Sequence, residues 1–250
     1  MSLPLPRTDV WWANQVAPAD QPVTPTGWPA LDAALPGGGW PLGAVVECTV
    51  PSAHALPWRL WQPALRAAAA QGPVVLIGLP LLPHAAVWAA HGIAPERLLR
   101  LTPDDDAQAL WAAEQVLRCP DVAACWVHWR RPTGAAMRRL QLAAAASRRD
   151  ATRPGAWPAP LVLASLDATR GLATSAAVLR LELLDSDADG VTVHVHKRRG
   201  PPLPGPLRLR APLPLTRLTH PCADDDEKQN TDAPDTPVVR VPERLRLVGT

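Results

Sequence analysis

The residues from Val50 to Trp58 stand where this chain would first be expected to do chemistry. A short amphipathic stretch, Trp28 to Leu35, is closed by Pro36-Gly37-Gly38-Gly39; a strand candidate, Ala44 to Cys48, follows, then a loop, then a helical pattern from Trp58. Short helix, glycine-rich turn, strand, loop and helix in that order form the entry to a phosphate-binding fold. In such a fold backbone N–H groups and a helix N-terminus face the phosphates. The usual loop is GxxxxGK[ST], whose lysine neutralises phosphate and whose hydroxyl holds Mg²⁺. This chain reads Val50-Pro51-Ser52-Ala53-His54-Ala55-Leu56-Pro57-Trp58 there, and it contains no Gly-Lys pair anywhere.

Cations gather in two places. Seven arginines (Arg130, Arg131, Arg138, Arg139, Arg148, Arg149, Arg153) against Asp150 give a net +6 over residues 130–153. Lys197, Arg198, Arg199, Arg208, Arg210 and Arg217 face no acidic residue between Gly190 and Ala223. Both clusters could neutralise phosphates or meet an acidic partner. For Arg138 and Arg139 the competing reading is one solvated helix face. Lys197-Arg198-Arg199, before Gly200-Pro201-Pro202, reads as a loop, and the acidic Asp224–Glu227 could fold back onto it.

Other reactive side chains point to structure. His194 and His196 share a strand face, yet no third ligand stands at a metal-site spacing. Trp126, His128 and Trp129 could stack on bases, but period two puts the two indoles on opposite faces, as core residues. No nucleophile elbow surrounds Ser165. Cys48, Cys119, Cys125 and Cys222 include no CxxC and suggest neither a zinc knuckle nor a disulfide framework.

The elements that must carry these residues alternate. Helices are expected over 58–71, 84–91, 104–117 and 134–147, with Asp104–Asp106 capping the third. Between them stand the short apolar runs Val74–Ile77, Arg97–Leu101, Val122–Val127 and Leu161–Ala164. Such alternation means a mostly parallel twisted sheet with helices on both faces, an α/β fold. From Val178 successive strands (178–184, 191–197, 206–210) predict an antiparallel C-terminal extension, with Asp185–Gly190 as its first turn. Residues 1–26 read as a Pro-rich N-terminal arm docking through Val10, Trp11 and Trp12, since exposed tryptophans are costly. Residues 27–218 form the domain, and 219–250 an acidic tail with an apolar end, Val238 to Val248. Within that end Leu245 and Leu247 would bind a partner or close the chain's own sheet.

Composition fits this picture. In 250 residues, 47% are hydrophobic and 19% charged, net charge is +2, and mean hydropathy is −0.03. That is globular composition with no membrane-spanning run, and Met1–Arg7 lacks the features of an export signal, so a cytoplasmic protein is expected. Twenty-three arginines accompany only Lys197 and Lys228, and eleven tryptophans replace all phenylalanine and tyrosine.

The opening Pro25-Thr26-Gly27-Trp28-Pro29-Ala30-Leu31-Asp32, Gly38–Gly43 and the strand containing Glu47 resemble the start of a RecA ATPase core. That resemblance assigns Val50 and Ala55 to the glycine positions of the phosphate loop, Leu56 to the lysine and Pro57 to the hydroxyl. It assigns His128 to the Walker B carboxylate and Gly78–Pro83 to the segment bearing the catalytic carboxylate. Losing the lysine alone removes roughly 1.5–3 kcal/mol of charge-assisted contact, and Pro57 removes a backbone donor. Ala109–Gln115, Arg138–Ala143 and Lys197–Gly200 extend the likeness over about residues 24–210, where the chain resembles the ImuA family, often grouped with the SulA cell-division inhibitors. The resemblance implies a non-enzymatic role in SOS-induced error-prone translesion synthesis, without cofactor. Its implied partners are an ImuB-like Y-family polymerase homologue, a second DnaE-type polymerase and RecA, with direct DNA contact left open. A SulA-type inhibitor of FtsZ and a divergent DNA-binding RecA-like protein are the alternatives.

Overall fold

The computed structural model describes residues 21–52, 55–149, 155–167, 174–187, 189–210 and 238–239. Val10, Trp11, Trp12, Leu245, Leu247, Arg153, Arg217, Cys222 and the acidic run 224–227 lie outside the described residues. The chain begins with β1 (Val23–Thr24), α1 (Pro29–Ala34), a 3-10 turn (Pro36–Gly38) and β2 (Trp40–Pro41). Alternating elements follow: β3 (Val45–Val50), α2 (Trp58–Gln71), β4 (Val74–Ile77), α3 (Ala85–Ala90), β5 (Leu98–Leu101), α4 (Asp106–Leu117), β6 (Ala124–Trp129), α5 (Gly134–Ala146) and β7 (Leu161–Asp167). Last come β8 (Leu179–Asp187), β9 (Gly190–Lys197), β10 (Leu207–Arg210) and β11 (Val238–Val239).

Among the described residues, nine strands form one mixed sheet in the order β10-β9-β8-β3-β7-β6-β4-β5-β11. Every pair from β8 to β11 across the sheet is parallel, while β8–β9 and β9–β10 are antiparallel. The fold is therefore α/β with a mostly parallel sheet. β3, β4 and β6 are buried along their whole length, as expected of strands covered on both faces. One face carries α2 on Val46, Cys48, Leu76, Trp126 and Leu163. The opposite face carries α4 and α5 on Val45, Val75, Val127, Trp129 and Val162.

Several elements differ from their expected bounds: β6 begins at Ala124 and runs to Trp129, β7 runs on to Asp167, and α4 begins at Asp106. Residues 23–24, placed by composition in the arm, pair as β1 with β2, and Thr26 is buried with its amide donating to Asp32 Oδ1 at 2.7 Å. The turn expected over 185–190 is shorter, because Asp187 Oδ1 accepts the amides of Asp189 and Gly190 and lets β8 run to Asp187.

Gly27 joins the two ends of the opening motif. Its φ is +82°, and an added Cβ would lie 2.3 Å from Cβ of Pro63 in α2. Beside it Trp28 Nε1 donates to the Leu60 carbonyl at 2.9 Å, fastening α1 to α2. Gly27→Ala is expected to cost at least about 2 kcal/mol, from left-handed strain plus overpacking. Urea denaturation reads this as a lowered midpoint at unchanged slope.

Candidate functional site

In open α/β sheets, ligands bind outside the carboxyl ends of the strands. At that edge β3 delivers Val50, fully buried, into the loop that leads to α2. The Ala55 amide donates to the Ser52 carbonyl at 3.0 Å, so this N–H turns onto its own loop. Pro57 caps α2 and has no N–H, and no side chain caps the helix. Beside the loop is a cavity of about 380 Å³ walled by Leu56, Trp58, Leu79, Leu82, Trp126 and Leu183. Among the described residues no lysine or arginine lines it, and Ser186 is the one serine, threonine or charged side chain in its wall. These residues do not fit a nucleotide's phosphates, which need donors and cations at this place. They fit apolar groups.

Around the cavity floor the indoles interlock. Trp126 meets Trp61 edge to face with centroids 5.0 Å apart, and Trp58 packs on Trp88 and His91. Trp126 Nε1 donates to Ser165 Oγ at 2.9 Å, and His128 Nδ1 lies 3.0 Å from the same oxygen. His128, at the position assigned to a metal-binding carboxylate, is instead buried in β6, directly opposite Ser165 of β7. Burial lowers its pKa, which favours the neutral imidazole. Ser165 is completely buried, so this Ser–His pair presents no accessible nucleophile. Trp126 and Trp129 do take opposite faces and are both buried. Cys125 is buried with its thiol pushed up to about 12, and Cys48 is raised further by the same cause. Neither is a reactive thiol.

Most of the basic side chains are committed to the fold. Arg139 makes a two-bond contact with Glu114 at 2.9 and 2.7 Å. Arg148 donates to the Ala145 and Ser147 carbonyls at the end of α5, and Arg149 to those of Gln71 and Asp121. Arg138 is exposed on α5. At Arg130 and Arg131 it is the backbone amides, not the side chains, that donate to the Asp106 carboxylate. Lys197 donates to the Ser175 and Ala177 carbonyls at 3.0 and 2.7 Å, and burial followed by the nearby Arg180 charge lowers its pKa. Arg198 donates to the carbonyls of Ala34 and Pro201. Arg199 differs: its Nη1 is buried without an acceptor among the described residues. The structure thus separates three adjacent cations that the sequence treats alike.

The His194 and His196 rings meet edge to face with centroids 4.5 Å apart, and His196 Nε2 lies 2.7 Å from Glu182 Oε2. Among the described residues, no three His, Cys, Asp or Glu groups could hold a metal ion. Nor is any described helix long and apolar enough to cross a membrane.

Sequence reasoning missed two features. One is the Ser165 link between Trp126 and His128. The other is the pair of Glu47, completely buried in mid-sheet, with Arg180 at 2.9 Å. Its signal was present, since a lone carboxylate inside Val45-Val46-Glu47-Cys48 requires a partner. The chain matches no family model, and no curated protein is similar to it in sequence.

Proposed function

We propose that the chain is a non-catalytic, cytoplasmic scaffold of SOS-induced error-prone translesion DNA synthesis, built on a RecA-like core that has lost its nucleotide site. The observation that carries this reading is the apolar cavity at the carboxyl edge of the sheet. Leu56 and Leu79 line it, and the RecA resemblance assigns these to the phosphate-binding lysine and to the segment bearing the catalytic carboxylate, which supports the reading. The motifs Thr26–Asp32, Leu35–Pro41, Ala109–Gln115, Arg138–Ala143 and Lys197–Gly200, which resemble ImuA, supply the pathway. On this reading the protein acts through contacts with an ImuB-like Y-family polymerase homologue, alongside a second DnaE-type polymerase, with RecA as a further contact.

Affinity capture of the tagged protein from its host after DNA damage tests the reading. Recovery of an ImuB-like polymerase homologue is expected, weakened by truncating 1–26 or 222–250. Recovery of FtsZ without any polymerase would replace the scaffold with a SulA-type division inhibitor. Purified protein is also expected to show no DNA-stimulated ATP hydrolysis. Hydrolysis that survived changes at residues 50–58 would sink the pseudo-ATPase assignment.

A further inference from the structure

At the opposite end of β8 from the apolar cavity, two motifs 160 residues apart in sequence close on each other. The glycine-rich turn contributes Leu35, Pro36, Gly37 and Gly39, and the loop after β9 contributes Arg198 and Arg199. Val23 of β1 and Val178 and Leu179 at the start of β8 complete a pocket of about 250 Å³. Gly39 permits the closure, because a Cβ there would lie 2.1 Å from the Thr24 carbonyl oxygen. Among the described residues the side chains of the wall are apolar apart from the two arginines and Gln21.

The arginines do different work. Arg198 spends its guanidinium on the Ala34 and Pro201 carbonyls and ties the loop to α1. Arg199, half-buried in the same wall, keeps Nη1 out of water and without an acceptor among the described residues. Nη1 itself is sealed from the pocket, so an incoming acid meets Arg199 through the atoms that line it, and a carboxylate is the group that pairs best with a guanidinium fork in an apolar wall.

We propose that this pocket is a peptide-docking site, taking from a partner protein an apolar side chain with a carboxylate beside it, the carboxylate bound by Arg199. A phosphodiester backbone is a poor match, because nucleic acid is held by several free cations in a wet groove. Here Lys197 and Arg198 are occupied by carbonyls, and the third cation stands in an apolar wall. The site rests on this geometry alone and stands or falls separately from the translesion reading.

Random twelve-residue peptides displayed on phage, selected on the full-length chain, test it. Recovered peptides are then labelled with fluorescein and titrated by anisotropy. The expected peptides carry Asp, Glu or a free C-terminal carboxylate within two residues of a Leu, Ile, Met or Phe. Arg199→Gln is expected to weaken their binding at least tenfold, and Arg199→Lys to restore part of it. Changing the peptide's acid to its amide should produce the same loss on unaltered protein, a readout independent of how any variant folds. The proposal fails if selection yields no peptide, if the peptides need no acid, or if Arg199→Gln binds them equally. Displacement by single-stranded oligothymidylate with Arg199 dependence would instead make the site a nucleic-acid contact. Peptides bound only by a Trp11→Ser, Trp12→Ser chain would make the chain's own N-terminal arm the occupant. Both results overturn the partner-peptide assignment.

Discussion

Arg180→Met is expected to destabilise the protein by about 3–5 kcal/mol, the usual loss when one member of a buried ion pair is removed. Glu47 is the reason. It sits in β3 between β7 and β8, with no solvent exposure, and Arg180 Nε reaches its Oε1 at 2.9 Å. Its Oε2 is buried and has no hydrogen-bond partner among the described residues. Without the guanidinium, that carboxylate would remain in a sheet centre surrounded by Ala164, Val162 and Ala177. Lys197 lies close enough to feel both charges, but its ammonium already donates to the Ser175 and Ala177 carbonyls. The paired change Glu47→Met, Arg180→Met is expected to recover most of the loss, since an apolar pair of similar volume avoids desolvating either charge. Urea titrations of the two variants, followed by tryptophan fluorescence, measure this directly. A single-variant loss below about 1 kcal/mol would mean that Glu47 is paired otherwise in solution.

The pair also marks the limit of what the sequence discloses. Local rules did well where one element decides its own limits: α2 runs from Trp58 to Gln71, and Asp105 caps α4 by accepting from the Gln108 amide. Thr133 does the same for α5. Period two correctly separated Trp126 from Trp129, because the pleat alone sets the face. That the loop after β3 offers neither a lysine nor a backbone donor at Leu56 and Pro57 was legible in the sequence. That the same place is an apolar cavity was not, since Leu79 arrives from the loop after β4, Trp126 from β6 and Leu183 from β8. Likewise Lys197, Arg198 and Arg199 differ only in which carbonyls the fold brings to each, and strand order, which no local pattern encodes, decides that. Ser165 and His128 sit opposite each other because β7 lies beside β6. Nothing near either residue announces it.

Trp126→Ala tests that cavity most severely. The indole is fully buried in β6, packs edge to face on Trp61 and forms part of the wall beneath Leu56 and Leu79. Its removal forfeits the transfer energy of a large aromatic and leaves a void in a sheet that cannot collapse, together about 3–5 kcal/mol. In a chain of this length that lowers the melting temperature by on the order of 10 °C. Trp126→Phe separates packing from hydrogen bonding. It keeps a ring against Trp61 and loses only the N–H to Ser165, whose hydroxyl retains His128, so about 1 kcal/mol is expected. A void with apolar walls stays dry and accepts an apolar guest. Exogenous indole is therefore expected to raise the melting temperature of Trp126→Ala in proportion to its occupancy, and by more than that of the unaltered protein, which lacks the added void. Calorimetric scans with and without indole decide the point. A variant that loses stability but gains nothing from indole would mean that the neighbouring leucines close over the gap. The cavity wall would then be a yielding surface, unlike the rigid cleft that an ATP-hydrolysing core must keep open.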